Sequence, residues 1–132
     1  MKDITIDQID EIKNDSKSVI LIYAEGCEAC NTAKPYFESI EATYDQFYFY
    51  KLQFSEAILP FYNQYIPKEL VKDAEGNEEL KSRIIFPNFM IFINLCIDEN
   101  NEHGFVGNVG GFDPGYLEAA LFNMTDKVAV NG

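Results

Sequence analysis

Residues 18–30 read SVILIYAEGCEAC, and this stretch decides the fold. Its first six residues are a continuous run of β-branched and apolar side chains, which predicts a short strand buried on both faces at the centre of a sheet. A tight turn follows, then Cys27 and Cys30, and beyond them apolar residues recur at spacings of three and four. The order of strand, turn and helix therefore places a pair of cysteines at the start of a helix. The apolar positions of that helix are Ala29, Ala33, Phe37, Ile40 and Tyr44.

The spacing of Cys27 and Cys30 suits redox chemistry for a geometric reason. Positions three apart lie one helical turn from each other, with Cα atoms at a separation that a disulfide can bridge. Cys27, at the mouth of the helix, faces unpaired backbone N–H groups and the positive end of the helix dipole, which stabilise its thiolate. Cys30 lies one turn further in and is more sheltered. Attack on a disulfide and resolution of the product are therefore expected from different sulfurs.

Two acidic residues, Glu25 and Glu28, flank the first cysteine. A carboxylate in the first helical turn favours the helix dipole but opposes a neighbouring thiolate, so two electrostatic effects compete at Cys27. Our hypothesis is that these carboxylates make Cys27 less acidic and bias the pair toward acting as a reductant.

Three further segments complete an α/β pattern. The aromatic-rich residues 47–54 (FYFYKLQF) predict a strand, so the strand at 18–23, the helix after it and this strand form a parallel crossover unit. Residues 86–97 (FPNFMIFINLCI) predict a strand that contains a proline near its start. A polar turn separates it from another predicted strand at residues 105–109.

Two short helices are predicted before the second half of the sheet. Thr5 and Gln8 have the spacing of a capping box, which predicts a helix over residues 6–13. Asn77 is a candidate cap for a short helix through Arg83, within a loosely patterned stretch that prolines interrupt.

A terminal helix begins at Asp113 and Pro114, which have the residue types of an N-cap and a first helical position. The domain is expected to span residues 1–124, and residues 125–132 are expected to form a frayed tail because they have no sustained pattern. The apolar face of the terminal helix is predicted to contain Tyr116, Leu117, Ala120 and Leu121.

Composition bounds the class of protein. With 132 residues, 47% of them apolar, including 11 Phe and 8 Tyr, the chain can bury one core without disulfide staples or a structural metal. The amino terminus alternates apolar and charged residues and lacks the pattern of an export signal, and the longest apolar run is too short to cross a bilayer as a helix. We therefore expect a cytoplasmic protein with no membrane partner.

Acidic residues outnumber basic residues by 22 to 10, and the formal net charge is −12. Nucleic acid and anionic membranes repel such a chain, so neither is expected as a partner. Because the acidic residues are spread along the chain rather than gathered in one block, composition favours a solvated acidic surface over a dedicated site for a basic partner.

With these residues identified, the chain resembles thioredoxin over nearly its whole length. The run VILIYAEGCEAC is similar to the family's strand and active-site loop, which ends in W-C-G-P-C. Pro35, five residues after the second cysteine, falls where that family kinks its active-site helix, and Lys51 matches a lysine of the next strand. Phe86 and Pro87 resemble the loop in which thioredoxins carry a cis-proline against the dithiol, and the run VGGFDP before the last helix also fits.

The resemblance implies an α/β thioredoxin fold, with a central mixed β-sheet flanked by helices, and thiol–disulfide exchange as the function. Cys27 would be the nucleophile and Cys30 the resolving thiol, and Pro87 would pack against them and leave a backbone edge for an extended substrate. The supporting residues would be Phe86, Pro35, Lys51 and Glu28. The reaction needs no organic cofactor. Its expected partners are a disulfide-containing protein substrate and, as electron donor, a reductase or a thiol pool.

The sequence also departs from the family at the site. Gly26 stands where the family has a tryptophan, Glu28 and Ala29 replace the intervening Gly-Pro, and Leu21 aligns with the buried aspartate that assists proton transfer in many thioredoxins. These departures support an alternative reading, in which the chain is a thioredoxin-fold binding or adaptor domain with little or no redox turnover.

Two other residues with reactive side chains, Cys96 and His103, are interpreted as structural rather than catalytic. Cys96 lies in an apolar stretch and is expected to be a small buried residue. His103 lies in a polar turn and is expected to be solvated. A structural zinc site needs four ligands, often from two paired motifs, and the CxxC pair has no second motif to join, so no metal is expected.

Overall fold

Strands and helices alternate along most of the chain in the computed structural model, which describes residues 1–131 and their side chains through Met124. Within the described residues, no helix is both long enough and apolar enough to span a membrane. The elements are β1 (Lys2–Ile4), a 3-10 helix (Ile6–Asn14), β2 (Lys17–Tyr23), α1 (Glu28–Ile40), β3 (Tyr48–Gln53), a 3-10 turn (Glu56–Ile58), α2 (Leu59–Tyr65), β4 (Glu69–Lys72), β5 (Glu78–Lys81), β6 (Asn88–Ile93), a 3-10 turn (Asn94–Cys96), β7 (Phe105–Gly110) and α3 (Pro114–Asn131).

Five strands form one mixed sheet in the order β1-β3-β2-β6-β7. The predicted strand after residue 17 lies at its centre, where it pairs parallel with β3 and antiparallel with β6. Its residues from Val19 to Ile22 have no exposed surface, as expected of a strand covered on both faces. The crossover from β2 through α1 to the parallel strand β3 confirms the predicted unit.

Successive side chains of β2 enter two separate cores, because side chains alternate between the faces of a strand. Leu21 packs in a core closed by α1 and α3, where the Phe37 ring stacks on Phe49 with 4.4 Å between centroids. Ile20 packs in the opposite core, which the amino-terminal 3-10 helix and α2 close with Ile12 and other apolar residues. Helices therefore flank a mixed sheet on both sides, and the predicted α/β class is confirmed.

The prediction of a helix from Asn77 to Arg83 is wrong, because this segment contains β5, which pairs with β4 in a two-stranded antiparallel hairpin. The turn between the strands is made by Asp73, whose carboxylate accepts the backbone N–H groups of Glu75 and Asn77, each at 2.9 Å. Gly76 has φ +85°, a conformation that favours glycine. Asn77 therefore ends a turn rather than capping a helix.

Both long helices differ from prediction on their apolar faces. In α1 the buried row contains Cys30 together with Ala33 and Phe37, while Ala29 is exposed and the helix ends before Tyr44. In α3 Tyr116 is 63% exposed, because Leu117 is the residue that turns toward the core. The predicted positions Ala33, Phe37 and Ile40 of α1 and Leu117 and Leu121 of α3 are buried, so the predicted register is otherwise confirmed.

The terminal helix begins where it was predicted, since the Asp113 carboxylate accepts the backbone N–H of Tyr116 at 3.1 Å. The predicted domain boundary after residue 124 falls inside α3. Gly132 and the side chains of residues 125–131 lie outside the described part of the chain, so the frayed tail stays a prediction.

Cys96 is exposed, which corrects the prediction that it is buried. The strand predicted over residues 86–97 ends at Ile93, and the chain then leaves the sheet in a 3-10 turn. Leu95, next to the cysteine, is 70% exposed for the same reason.

The packing of α3 against the sheet can be tested with a pair of substitutions on this helix. Leu117→Ala removes a fully buried side chain and is expected to lower the free energy of unfolding by about 3 kcal/mol. Tyr116→Ala, at the exposed neighbouring position, should change it by less than about 1 kcal/mol. Urea unfolding of both variants measures the difference, and equal losses would contradict the packing described for α3.

Candidate active site

The two cysteines lie at the end of the sheet where β2 and β3 finish, at the amino terminus of α1. Gly26, with φ +74°, turns the chain out of the loop after β2. Cys27 then has an extended backbone conformation and acts as the N-cap of α1, its Sγ accepting the backbone N–H of Cys30 at 3.1 Å. The sulfur thus occupies the position in which a helix amino terminus interacts with a negative charge.

Cys27 and Cys30 are joined by a disulfide bond, and their Cα atoms are 5.2 Å apart. The two sulfur-bearing residues differ in exposure: Cys27 is partly exposed, whereas Cys30 is 0% exposed and belongs to the buried row of α1. Only the outer residue offers a surface to another molecule. The local geometry predicted from the CxxC spacing is therefore present.

The Phe86–Pro87 peptide is cis, and the proline is brought to the same end of the sheet because β6, which it precedes, runs antiparallel to β2. Pro87 is buried, and its carbonyl accepts the backbone N–H of Gly111 at 2.7 Å. The Phe86 ring packs edge-on against Phe54, with 5.0 Å between centroids. The proline loop is thus tied both to the end of β7 and to the segment that follows β3.

Asn88 and Gly111 were not among the predicted site residues, although they hold the proline loop. The Asn88 side chain is 1% exposed, donates to the Ile85 carbonyl at 3.2 Å and accepts from the Asn108 amide at 3.2 Å. Gly111 has φ +86°, which positions its N–H toward Pro87. The sequence signal for this pair was present in the runs FPN and VGGF, but it did not indicate the hydrogen bonds.

The remaining predicted site residues are placed less centrally. Pro35 lies within α1 and is exposed. Lys51 lies beside Leu21 in the register of β2 and β3, and its ammonium pairs with Asp3 of β1, at 3.5 Å from the carboxylate. Leu21, which was predicted to stand where the family has an aspartate, is apolar and completely buried.

The carboxylates beside the first cysteine are both exposed. Glu25 accepts a hydrogen bond from the Gln53 side chain at 3.3 Å, which ties it to the end of β3. Glu28 lies in the first turn of α1. Among the described residues, neither carboxylate forms an ion pair with a cation.

His103 is 3% exposed, which corrects the prediction that it is solvated. Its Nδ1 contacts the Tyr65 hydroxyl, and its Nε2 lies 2.9 Å from the Asp10 carboxylate. The hydrogen bond from His103, with a further one from Lys13, holds the pKa of Asp10 below its usual range. This network ties the amino-terminal 3-10 helix and α2 to the loop before β7, at the end of the sheet away from the dithiol.

Asp10, Glu102 and His103 bring their donor atoms within 4.8 Å of one another, close enough to hold a metal ion. The Lys13 ammonium, however, lies 3.3 Å from Asp10 and 3.0 Å from Glu102 and already balances both carboxylates. The cluster is accounted for by these ion pairs and by the burial of the imidazole.

Comparison with known proteins rests on structure alone. No protein-family model and no curated protein matches the chain. A thioredoxin from Malassezia sympodialis superposes with a TM-score of 0.63 at 23% identity, covering 92% of this chain and 90% of that one. The chain has the thioredoxin fold. Thioredoxin from Plasmodium falciparum gives a TM-score of 0.66 at 16% identity, covering 93% of this chain and 98% of that one. Thioredoxin f2 from Chlamydomonas reinhardtii gives a TM-score of 0.66 at 14% identity, covering 94% of this chain and 95% of that one.

The effect of Glu28 on the thioredoxin-fold dithiol can be measured directly. Glu28→Gln removes a negative charge next to the Cys27 thiolate, so the pKa of that thiol is expected to fall in the reduced protein. The pH dependence of its alkylation reports the change. Glu38→Gln, at an exposed position near the other end of α1, is the matched control and should leave the titration unmoved. An unchanged or higher pKa in Glu28→Gln would rule out our hypothesis for the carboxylates.

Proposed function

We propose that the chain is a thiol–disulfide oxidoreductase that exchanges disulfides through Cys27 and Cys30. The observation that carries this proposal is the asymmetry of the pair: a partly exposed sulfur caps the amino end of α1, and its disulfide partner is completely buried one turn further along. A dithiol that reacts with other proteins needs one sulfur to meet the substrate and another to release it.

In the reducing direction, the Cys27 thiolate attacks one sulfur of a substrate disulfide. The substrate S–S bond breaks, one substrate thiolate leaves, and a mixed disulfide joins Cys27 to the other substrate sulfur. The Cys30 thiol then loses its proton and attacks Cys27 Sγ, which releases the second substrate thiolate and forms the Cys27–Cys30 disulfide. Two electrons pass from the protein to the substrate, and no organic cofactor is required because the sulfurs carry them.

The amino end of α1 supports the first step. The Cys30 N–H points at Cys27 Sγ at 3.1 Å, and the other unpaired N–H groups of the first turn add to the positive potential there. A thiolate at this position is therefore stabilised relative to one in water. Burial of Cys30 keeps the second sulfur away from solvent oxidants and competing substrates until the mixed disulfide has formed.

Pro87 is proposed to form the substrate-binding loop, and Phe86 is proposed to support it. The Pro87 carbonyl accepts the Gly111 N–H, and the Asn88 side chain donates to the Ile85 carbonyl of the preceding segment. These hydrogen bonds hold the loop at the same end of the sheet as the dithiol. A backbone edge held in this way can pair with an extended substrate peptide, which would align the substrate disulfide for attack.

The oxidised pair must be reduced again by a reductase or by a thiol pool. A structural neighbour of the chain comes from a complex of ferredoxin:thioredoxin reductase and thioredoxin f2, with a TM-score of 0.68 at 16% identity. That neighbour supports a protein reductase as one electron donor for this chain. A reducing cytoplasm, where we propose that the protein acts, would also supply a thiol pool.

The proposal is tested by reduction of insulin disulfides with a thiol as electron donor. Cys27→Ser is expected to lower the rate by at least about a hundredfold, because a neutral hydroxyl is a poor nucleophile at neutral pH. Cys30→Ser should stall with substrate bound to Cys27 as a mixed disulfide that is visible on a non-reducing gel. Cys96→Ser, which changes an exposed cysteine on another segment, is the control and should reduce insulin like the parent. A Cys27→Ser variant as active as the parent would disprove the mechanism.

A second candidate function, a binding or adaptor domain, is favoured by the β4–β5 hairpin. Leu70 and Leu80 pair across its strands and are 61% and 65% exposed, an apolar pair that faces solvent. The adaptor account predicts that a protein partner binds the Cys27→Ser, Cys30→Ser double variant as tightly as the parent and loses affinity when Leu80 is changed to Asp. Loss of the partner in the double serine variant would support the oxidoreductase instead.

A further inference from the structure

The segments that surround the dithiol carry exposed carboxylates that neither form nor break a bond in the exchange reaction. The sheet topology brings together the carboxyl ends of β2, β3 and β7 and the start of β6, so the residues that follow or precede these ends share one face of the molecule. The acidic residues on those segments, all exposed, are Glu25, Glu28, Glu56 and Asp113.

We propose that the preferred substrates of the dithiol are disulfides flanked by basic residues. This inference rests on the proposed function and names its substrate class. Net charge alone favours a solvated acidic surface, but the position of the carboxylates distinguishes this face. Glu28 is the neighbour of the attacking residue Cys27, and Glu25 precedes it by two positions.

The cations near this face are already engaged. Lys51 pairs with Asp3 at 3.5 Å, and Arg83, in the segment before the proline loop, pairs with Glu69 at 3.5 Å. Lys34, one turn beyond Cys30, lies over the Tyr23 ring at 3.7 Å from its centroid. Within residues 1–124, Glu25 and Glu28 lack a salt-bridge partner, so their charge faces an incoming molecule.

A groove beside the dithiol loop offers a path for such a substrate. It encloses about 370 Å³ along the carboxyl ends of β1 and β3, and its lining includes Asp3, Tyr23 and Gln53. Gln53 is the residue that holds Glu25 in place. A basic side chain next to the substrate cysteine would therefore meet the Glu25 carboxylate where the loop borders the groove, whereas the Asp3 carboxylate is already paired with Lys51.

Electrostatics of this kind acts on the rate of association. A pair of unit charges about 8 Å apart in water changes an equilibrium constant or an association rate constant by about twofold, and the factors from several pairs multiply. Salt at about 1 M shortens the screening length to about 3 Å and removes most of the effect. A preference that comes from exposed carboxylates must therefore disappear at high ionic strength.

The experiment uses the reduced Cys96→Ser protein, in which the exposed third thiol cannot release thiopyridone. It compares three peptides of one sequence, in which the residues flanking a single cysteine are Lys, Gln or Glu. Each cysteine is activated as a mixed disulfide with 2-thiopyridone. The Cys27 thiolate attacks the peptide sulfur and expels thiopyridone, whose absorbance gives the second-order rate constant, and Cys30 then releases the peptide thiol. The lysine peptide is expected to react at least about threefold faster than the glutamine peptide at low salt, and the glutamate peptide slower than both.

Two variants and one control locate the effect. Glu25→Gln and Glu28→Gln should each lower the ratio of the lysine rate to the glutamine rate by about twofold. Dividing by the glutamine rate removes any change in the reactivity of the thiol itself. Glu99→Gln removes the same charge from an exposed residue in the loop between β6 and β7, at the opposite end of the sheet, and should leave the ratio unchanged.

The outcomes separate the substrate class from the chemistry. Release of thiopyridone at equal rates from all three peptides would overturn the preference for basic substrates and leave the exchange reaction intact. If Glu99→Gln lowered the ratio of the lysine rate to the glutamine rate as much as Glu28→Gln does, the proposal would also be overturned. The preference would then come from the net charge of the protein and not from the carboxylates around the dithiol. Absence of release from every peptide would instead contradict the proposed function.

Discussion

The amino end of α1 is held at the carboxyl end of the central strand, and the site depends on this constraint. Strand β2 is covered on both faces, so its end cannot move without disturbing two cores at once. The buried row of α1, with Phe37 stacked on Phe49, fixes the helix against the same sheet. Cys27 and Cys30 are therefore placed by the most deeply buried elements of the fold, although Cys27 itself is partly exposed.

The proline loop is positioned by separate contacts. Its anchor is the antiparallel pairing of β6 with β2 and β7, supplemented by the hydrogen bonds of Pro87 with Gly111 and of Asn88 with its neighbours. The dithiol and the loop thus reach the same end of the sheet from opposite strand directions. A partly exposed cysteine and the backbone of the proline loop therefore share one end of the sheet, next to the exposed carboxylates of Glu25 and Glu28.

Much of this arrangement could be predicted from sequence because its signals are local. A continuous β-branched run indicated β2, and the cysteine spacing at the strand-to-helix turn indicated the position of the site. The β4–β5 hairpin was missed because its strands are short and charged, so neither a helical nor a strand period dominates. Cys96 and His103 were misplaced because burial there depends on tertiary contacts: the chain leaves the sheet after Ile93, and the imidazole is enclosed by Tyr65 and Asp10.

The central claim is that the fold presents one sulfur of the pair and encloses the other, and it is tested most directly by alkylating the reduced native protein and mapping its three cysteines by mass spectrometry. A short pulse of iodoacetamide at neutral pH should modify Cys27 fastest, because the helix amino terminus favours its thiolate, and Cys96 next, as an exposed thiol outside the site. Cys30 should remain unmodified until the protein is unfolded. Modification of Cys30 as rapidly as Cys27 would contradict the account.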